Sequence, residues 1–345
     1  MMVNRCRSLL LLITFLCACS YPARPATLPT SGAPLSVPSA TATLVPVYVS
    51  DVETLTPATA ASSTQASVDL APTDSFAETP TANRVPEPTA TLSAKAWREL
   101  PVVPVEISEQ MRLVYERGLA DGNNPQAFSK VGDCQSAVPM FLSDLDKERY
   151  DLGEYSYLQP VIDNFAGSFG RSSRAVKDGL TASAVNVSLW NDWRDCETNE
   201  TPLACEYRLH KPSFAIISLG TNDANGFVPF EDTLRKVIDV TLAQGIVPIL
   251  ATKADNAEGD HSINLTIARL AYEYQIPVWN FWLAVQDLPL QGLRSPEHLT
   301  YGEYVLPVDF SSPEVLQYAF NVRNLTALQV LDIVWRSVTG QAPAH

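Results

Sequence analysis

The chain has 345 residues and a formal net charge of −14, from 24 Lys and Arg against 38 Asp and Glu. So acidic a protein repels phosphate backbones, which argues against nucleic-acid binding. Hydrophobic residues make up 46% of the sequence, enough for at least one sizeable buried core.

The first segment has the pattern of an export signal. Arg5 and Arg7 precede the apolar run SLLLLITFL, which is too short to span a bilayer and has the length of a signal-peptide core. Leu16 to Cys19 (LCAC) then resembles a bacterial lipobox, in which the cysteine is acylated and becomes the first residue of the mature chain. We predict a signal peptide over 1–18, a lipidated Cys19, export, and anchoring at the outer face of the bacterial cell membrane. An ordinary cleaved signal with incidental cysteines is the alternative.

Residues 19–95 are rich in Pro, Thr, Ser and Ala. This segment has too little apolar bulk to offset the entropy of ordering it, so we predict a disordered linker. A globular domain follows over 96–341.

Three cysteines fall in that domain. Cys196 and Cys205 lie in DCETNETPLAC, predicted as a polar loop that a disulfide closes in an oxidising compartment. Cys134 stands outside this pair, so it needs another explanation.

The domain alternates apolar runs with helical periodicity, in segments joined by short connections. An apolar lead-in ends at Gly132, and a helix containing Leu158, Ile162 and Phe165 leads to a short strand at 175–177. The later predicted elements are a strand at 212–220, a helix at 229–245, a strand at 246–252, a helix at 261–274, a strand at 276–282, a short helix opened by Ser312 and Pro313, and a helix at 324–338.

This alternation predicts an α/β fold with a parallel sheet covered by helices on both faces. In such sheets ligands bind beyond the carboxyl ends of the strands. The rule selects the loops at 132–135, 178–182 and 220–225 and the segment after Trp282 as the place to search for a site.

Two of these loops carry family motifs. VGDCQS after the first strand and GTND (220–223) after the most strand-like run resemble the SGNH/GDSL hydrolases, over roughly half of the chain. The resemblance implies a flavodoxin-like three-layer fold and a cell-surface hydrolase of carboxylic (acyl or acetyl) esters, with surface glycans as candidate substrates. It implies no cofactor and no metal, and we expect a monomer whose partners are a small-molecule or glycan ester and, through the lipid anchor, the membrane.

Carried over residue by residue, the family's nucleophile position falls on Cys134, with Asp133 as a structural neighbour. The oxyanion hole would consist of the backbone N–H of Cys134, the side chain of Asn222 and the backbone N–H of Gly179, with Ala182 as the alternative to Gly179. Gly220 and Asp223 complete the GTND motif.

The family's base is a histidine near the C-terminus, and the chain has His210, His261, His298 and His345. His298 lies in SPEHLTYGEY, which resembles the family's Asp-x-x-His block, so it is the predicted base. Ser295 stands at the usual position of the aspartate. Neither the adjacent Glu297 nor Asp287 has a sequence position that assures contact with His298.

Cys134 would lie at a helix N-terminus, where a thiol is readily ionised to a nucleophilic thiolate. Against this, a site shaped for serine need not suit the longer C–S bond, and an exported thiolate is easily oxidised. Ser136 is an alternative nucleophile expected to point elsewhere. Three hypotheses remain: an active esterase, a catalytically silent domain that binds carbohydrate or another ligand, and a surface scaffold.

Overall fold

The computed structural model describes residues 92–224 and 226–344. Its main sheet has four parallel strands in the order β1-β2-β3-β4. The strands are β1 (Asn124–Gly132), β2 (Pro212–Ser218), β3 (Val247–Ala251) and β4 (Val278–Trp279).

A single parallel bridge between Gly132 and Val176 extends the sheet beyond β1. It lies where the short strand at 175–177 was predicted, and it is reduced to one residue pair. When this bridge is counted as a strand, the order becomes 2-1-3-4-5, the order of flavodoxin-like sheets.

Both faces of the sheet are covered. Successive strand residues point to opposite faces, yet all five residues of β3 and all of β2 except Ser218 are buried. The covering helices include two packed pairs, α1 with α7 and α4 with α5. The helices are α1 (Glu109–Ala120), α2 (Gln159–Asn164), α3 (Pro202–His210), α4 (Phe230–Ala243), α5 (Ser262–Tyr274), α6 (Phe281–Ala284) and α7 (Ala319–Thr339).

The predicted strand at 276–282 is shorter in the structure. β4 has two residues, and α6 follows because the side chain of Asn280 caps it by accepting a hydrogen bond from the backbone N–H of Leu283. The predicted helix at Ser312 and Pro313 is wrong, since residues 312–318 form turns.

The last helix, α7, begins at Ala319, five residues before the prediction. The hydroxyl of Thr300 accepts a hydrogen bond from Ala319 N at 2.9 Å, so the cap comes from a residue far away in the sequence. A cap of this kind leaves no local signal at the helix start.

The predicted disulfide between Cys196 and Cys205 is confirmed, with a Cα–Cα distance of 5.3 Å. Cys205 lies in α3 rather than in a loop. The local signal for α3 is Thr201 followed by Pro202: the Thr201 hydroxyl accepts a hydrogen bond from Ala204 N, and proline suits the first helical position.

The predicted signal peptide, Cys19 and the linker up to residue 91 lie outside the described residues. Within the described part of the chain, no helix combines the length and the apolar character needed to cross a membrane.

Candidate active site

Cys134 follows β1 directly, in a 3₁₀ turn over Cys134–Ser136. Asp133 caps this turn by accepting a hydrogen bond from Gln135 N at 2.9 Å. Cys134 therefore begins a helix as predicted, but this helix is a 3₁₀ turn of three residues. Its brevity has a local cause: proline at 139 disfavours helical geometry at Val138. A long helix dipole consequently does not act on the Cys134 thiol.

Ser136 points back into the protein. It is buried, and its hydroxyl lies against Gly132 so closely that a Cβ at 132 would collide with it. Ser136 does not line the cavity beside Cys134. Its side chain therefore has a packing role, as its position two residues after Cys134 predicts.

His298 lies in a small antiparallel hairpin of β5 (Leu293–Ser295) and β6 (His298–Leu299). Ser295 pairs with His298 across the hairpin, and its hydroxyl lies 2.8 Å from Nδ1 of the imidazole. Ser295, which stands where the resemblance placed an aspartate in the sequence, is thus in contact with Nδ1 of the imidazole. Neither Glu297 nor Asp287 forms a hydrogen bond to the ring through its carboxylate.

A hydrogen bond joins the Cys134 turn to the His298 hairpin. The side-chain amide of Gln135 donates to the backbone carbonyl of Glu297 at 2.9 Å, and each of these residues neighbours one of the two candidate catalytic residues. Cys134 and His298 both line one cavity of about 760 Å³. The nucleophile position and the predicted base are thus brought to the same space.

Asn222 is half-buried below the Cys134 turn. Its side-chain amide donates to Asp133 Oδ2 at 3.3 Å and to the Leu180 carbonyl at 3.4 Å, both long for such bonds. Gly220 precedes it with φ of +129°, and a Cβ there would meet Ile263. Glycine is therefore required at 220 for the loop to pass α5.

The loop that carries the other predicted oxyanion donors is tied to GTND by Asp223. The Asp223 carboxylate accepts the backbone N–H of Ala182 at 3.0 Å, so Ala182 does not fit as an oxyanion donor. Gly179 has φ of +73°, is exposed and has no atom within 4 Å of an added Cβ. Neither Gly179 nor Asn222 lines the cavity that Cys134 and His298 share, so the structure brings the nucleophile position and the base together there but not the two other predicted oxyanion donors.

Two carboxyl groups beneath the site have raised pKa values. Burial raises the pKa of Asp133 to about 6, although the hydrogen bond from Gln135 N and the charge of Arg323 oppose the shift. Burial also raises the pKa of Asp223 to about 6, and the nearby charge of Asp133 acts in the same direction. Negative charge next to Cys134 is therefore reduced below about pH 6.

Arg323 is a site residue that the sequence analysis missed. It lies in α7, fully buried, and its Nε donates to the backbone carbonyl of Gln135 at 3.2 Å. A signal does exist in the sequence: Arg323 shares a helical face with Ala327, Val330 and Val334, all apolar and buried. A charged residue on such a face must have a specific partner.

The other histidines lie elsewhere. His261 precedes α5, its ring packs beside Trp97 and Trp282, and Nδ1 is buried without a hydrogen-bond partner in the described structure. His210 lies 3.6 Å from Glu206. His345 is outside the described residues. His298 is the histidine that shares the cavity with Cys134.

Three ligand atoms close enough to share a metal ion occur once in the described chain, at Cys196, Glu200 and Cys205. The two sulfurs are bonded to each other, so this group does not fit a metal.

No family model matches the chain, and no curated protein matches it. The solved structures that resemble it include a protein described as a putative lipolytic protein of the G-D-S-L family from Desulfitobacterium hafniense and a GDSL-like lipase from Bacteroides thetaiotaomicron. The first is 17% identical, with a TM-score of 0.36 over 59% of this chain and 99% of its own. The second is 14% identical, with a TM-score of 0.34 over 65% of this chain and 97% of its own. Both TM-scores lie below 0.5, so the site rests on the contacts within this chain.

Proposed function

We propose that this protein is a hydrolase of carboxylic acyl esters, with Cys134 as the nucleophile and His298 as the base. The observation that carries the proposal is the 2.8 Å contact between Ser295 Oγ and His298 Nδ1 on the wall of the cavity that also holds Cys134. This contact fixes the ring through one nitrogen. Nε2 is then the nitrogen that exchanges protons with substrate, in the tautomer whose Nδ1–H donates to Ser295.

The reaction has two stages. His298 holds the proton that the Cys134 thiol has given up, and the thiolate Sγ attacks the ester carbonyl carbon, whose π electrons move to oxygen. The oxyanion accepts hydrogen bonds from the backbone N–H groups of Cys134 and Gly179 and from the amide of Asn222. Collapse forms a thioester and expels the alcohol, which takes the proton from His298. Water then attacks the thioester and gives a proton to His298, and collapse releases the acid and restores the thiolate beside protonated His298.

The cavity supports an acyl group as the part of the substrate bound beside Cys134. Its wall contains the apolar side chains of Val138, Met140, Leu299 and Phe320. Burying such surface against a hydrocarbon chain favours binding. An exported and anchored enzyme would meet esters at the cell surface, and acylated glycans remain the candidate natural substrates.

The test compares hydrolysis of p-nitrophenyl acetate, p-nitrophenyl butyrate and an acetylated xylan. Cys134→Ala and His298→Ala should lower kcat/KM by at least about 100-fold. Ser156→Ala, an exposed hydroxyl outside the cavity, serves as the control and should match the parent. Equal background rates in all four proteins would reject the proposal. Activity that appears only in Cys134→Ser would show that the scaffold is intact and the cysteine silences it.

One observation favours the second hypothesis, a catalytically silent domain that binds a ligand in this cavity. The side-chain amide of Asn222 already donates to Asp133 and Leu180, so a substrate oxyanion must displace at least one of these bonds. Binding of a carbohydrate or another ligand without turnover, unchanged in Cys134→Ala, would support this function.

A further inference from the structure

Arg323 lies beneath the Cys134 turn, contacts that turn at two points and contacts the end of β2 at a third. Its guanidinium donates to the carbonyl of Gln135 at 3.2 Å, to the hydroxyl of Ser136 at 3.4 Å and to the hydroxyl of Ser218 at 2.9 Å. Gln135 and Ser136 are the two residues that follow Cys134. The contacts therefore link α7 to the nucleophile turn and to the end of β2.

Three aromatic rings enclose the same guanidinium. The distances from its central carbon to the ring centroids are 4.8 Å for Phe141, 5.0 Å for Trp279 and 4.9 Å for Phe281. Cation–π attraction of this kind partly offsets the loss of hydration. Burial lowers the pKa of Arg323 to about 10, so the group stays charged at neutral pH.

A permanent buried charge is a costly way to fix a turn, because neutral donors could satisfy the same three oxygens. The charge itself must therefore act on something nearby. Asp133 is one partner, and its carboxyl is partly protonated near pH 6. Cys134 is a second candidate, because it immediately precedes Gln135 and Ser136, the two residues of the turn that the guanidinium bonds.

We propose that Arg323 is a positioning residue whose buried positive charge holds Cys134 as the thiolate. The catalytic meaning of this inference rests on the proposed function, in which Cys134 is the nucleophile. The electrostatic attraction between the two groups is mutual: the thiolate raises the pKa of Arg323, and the guanidinium equally favours the thiolate. Arg323 thereby supplies the positive charge near Cys134 that a long helix dipole would otherwise provide and that the three-residue turn lacks.

Other charged groups act on Cys134 as well. Asp133 in the same turn opposes ionisation of the thiol, and this opposition weakens below about pH 6 as Asp133 is protonated. Asp223 lies beneath the same site, and the charges of Asp178 and Asp255 also act on Asp133. The titratable groups on the cavity wall are Arg294, His298, Tyr301, Glu303 and Tyr318. Substituting Arg323 alone leaves all of them in place, so a change in the pH profile reports Arg323.

The test measures the rate of alkylation of Cys134 by iodoacetamide, a neutral reagent, between pH 5 and 10. The full chain is used, and the Cys134 peptide is quantified by mass spectrometry, which separates it from the other cysteines. Arg323→Gln removes the charge and keeps an amide donor, and it should raise the midpoint of the profile by at least about one pH unit. Arg323→Lys keeps the charge and should leave the midpoint near that of the parent.

Arg336→Gln is the matched control, because Arg336 lies in the same helix but bonds Asp332 and stacks on Trp335. It should leave the midpoint unchanged. A folded Arg323→Gln with the parent's midpoint would overturn the inference. If Arg323→Gln does not fold, Arg323→Lys decides: a midpoint near the parent's supports the inference, and a shift of a unit or more overturns it.

The same variants separate this inference from the proposed function. Alkylation reports the ionisation of the thiol without turnover, whereas ester hydrolysis reports catalysis. If the midpoint depends on Arg323 and no variant alters hydrolysis, the proposed function fails and the electrostatic role stands. If hydrolysis needs Cys134 and the midpoint ignores Arg323, the inference fails alone.

Discussion

A serine hydroxyl and a carboxylate hold a histidine ring in different ways. Ser295 contacts His298 through Nδ1, as an aspartate would, but it brings no negative charge to balance the imidazolium of the proposed mechanism. At the scale of single residues, the site combines a histidine held by Ser295 with a cysteine on the wall of the same cavity, and it lacks the negative charge of a triad carboxylate. The proposed role of Arg323 lies at the other end of the site, at Cys134.

Placing a carboxylate at position 295 is the most direct test of the proposed role of Ser295. Ser295→Asp should raise kcat/KM for p-nitrophenyl butyrate by about 10-fold, because a carboxylate at Nδ1 stabilises the imidazolium as well as orienting the ring. The acid limb of the pH–rate profile, on which the histidine base becomes protonated, should move to higher pH because the neighbouring carboxylate favours the protonated ring. Ser156→Asp introduces the same charge at an exposed site and should have no effect. An unchanged rate in a folded Ser295→Asp would show that Ser295 does not act through His298.

Asp223 gives a pH-dependent prediction about stability. Its pKa is raised to about 6 in the folded protein from 3.8, so the folded state binds more protons than the unfolded state between these values. The free energy of unfolding of the parent therefore falls as pH rises through this window. Asparagine at position 223 does not titrate. The free energy of unfolding of Asp223→Asn, measured by urea unfolding, should therefore rise by roughly 2 kcal/mol relative to that of the parent between pH 4 and pH 7.

Asp260→Asn is the control for this measurement. Asp260 is exposed, and hydrogen bonds from Ser262 lower the pKa of its carboxyl, so any pH trend should have the opposite sign. A difference between Asp223→Asn and the parent that does not vary with pH would contradict the burial of a charged Asp223.

At the scale of elements, the parts predicted well are those with strong local signals. The continuous apolar run of β2 and the periodic apolar face of α4 fixed both the type and the place of these elements. The start of α7 was missed because its cap, Thr300, is 19 residues away. Arg323 was missed for a related reason, since its partners in the Cys134 turn are tertiary contacts.

The candidate site, too, was predicted from the sequence only in part. Parallel-sheet geometry and motif position predicted that Cys134 and His298 lie at one edge of the sheet, and both line one cavity. The hydroxyl of Ser295 as the partner of Nδ1 required the register of the β5–β6 hairpin, which no local pattern specified.

The cap at Thr300 can be tested by substitution. Thr300→Val keeps the shape of the side chain and removes the acceptor for Ala319 N, so it should lower the free energy of unfolding by about 1 kcal/mol. Thr300→Ser retains the hydroxyl and should lose less. Urea unfolding monitored by circular dichroism makes the comparison. Equal stability of the two variants would show that the hydroxyl does not stabilise α7.

At the scale of the whole molecule, compartment and chemistry are linked. The disulfide between Cys196 and Cys205 forms and persists in an oxidising compartment, and the predicted signal at 1–18 leads there. A thiolate at Cys134 in that compartment would be exposed to oxidation to the sulfenic acid, and a thiol reductant would have to return it to the thiolate. Where the mature protein resides therefore decides how long the proposed nucleophile survives.

Acylation of Cys19 is the prediction that decides where the mature protein is located. If Cys19 is acylated, the mature chain begins at a residue carrying lipid chains, and several chains together hold a protein on a bilayer far more firmly than one. The full chain expressed in a bacterium should sediment with membranes and be released by detergent, and mass spectrometry should find acylated Cys19 at the mature N-terminus. Cys19→Ser should lose both properties, because a hydroxyl cannot take the place of the thiol in the first acylation step. Cys17→Ser, two residues away and inside the predicted signal peptide, should retain both. An unmodified N-terminus at another position would show that the LCAC motif is incidental and that the protein is secreted without a lipid.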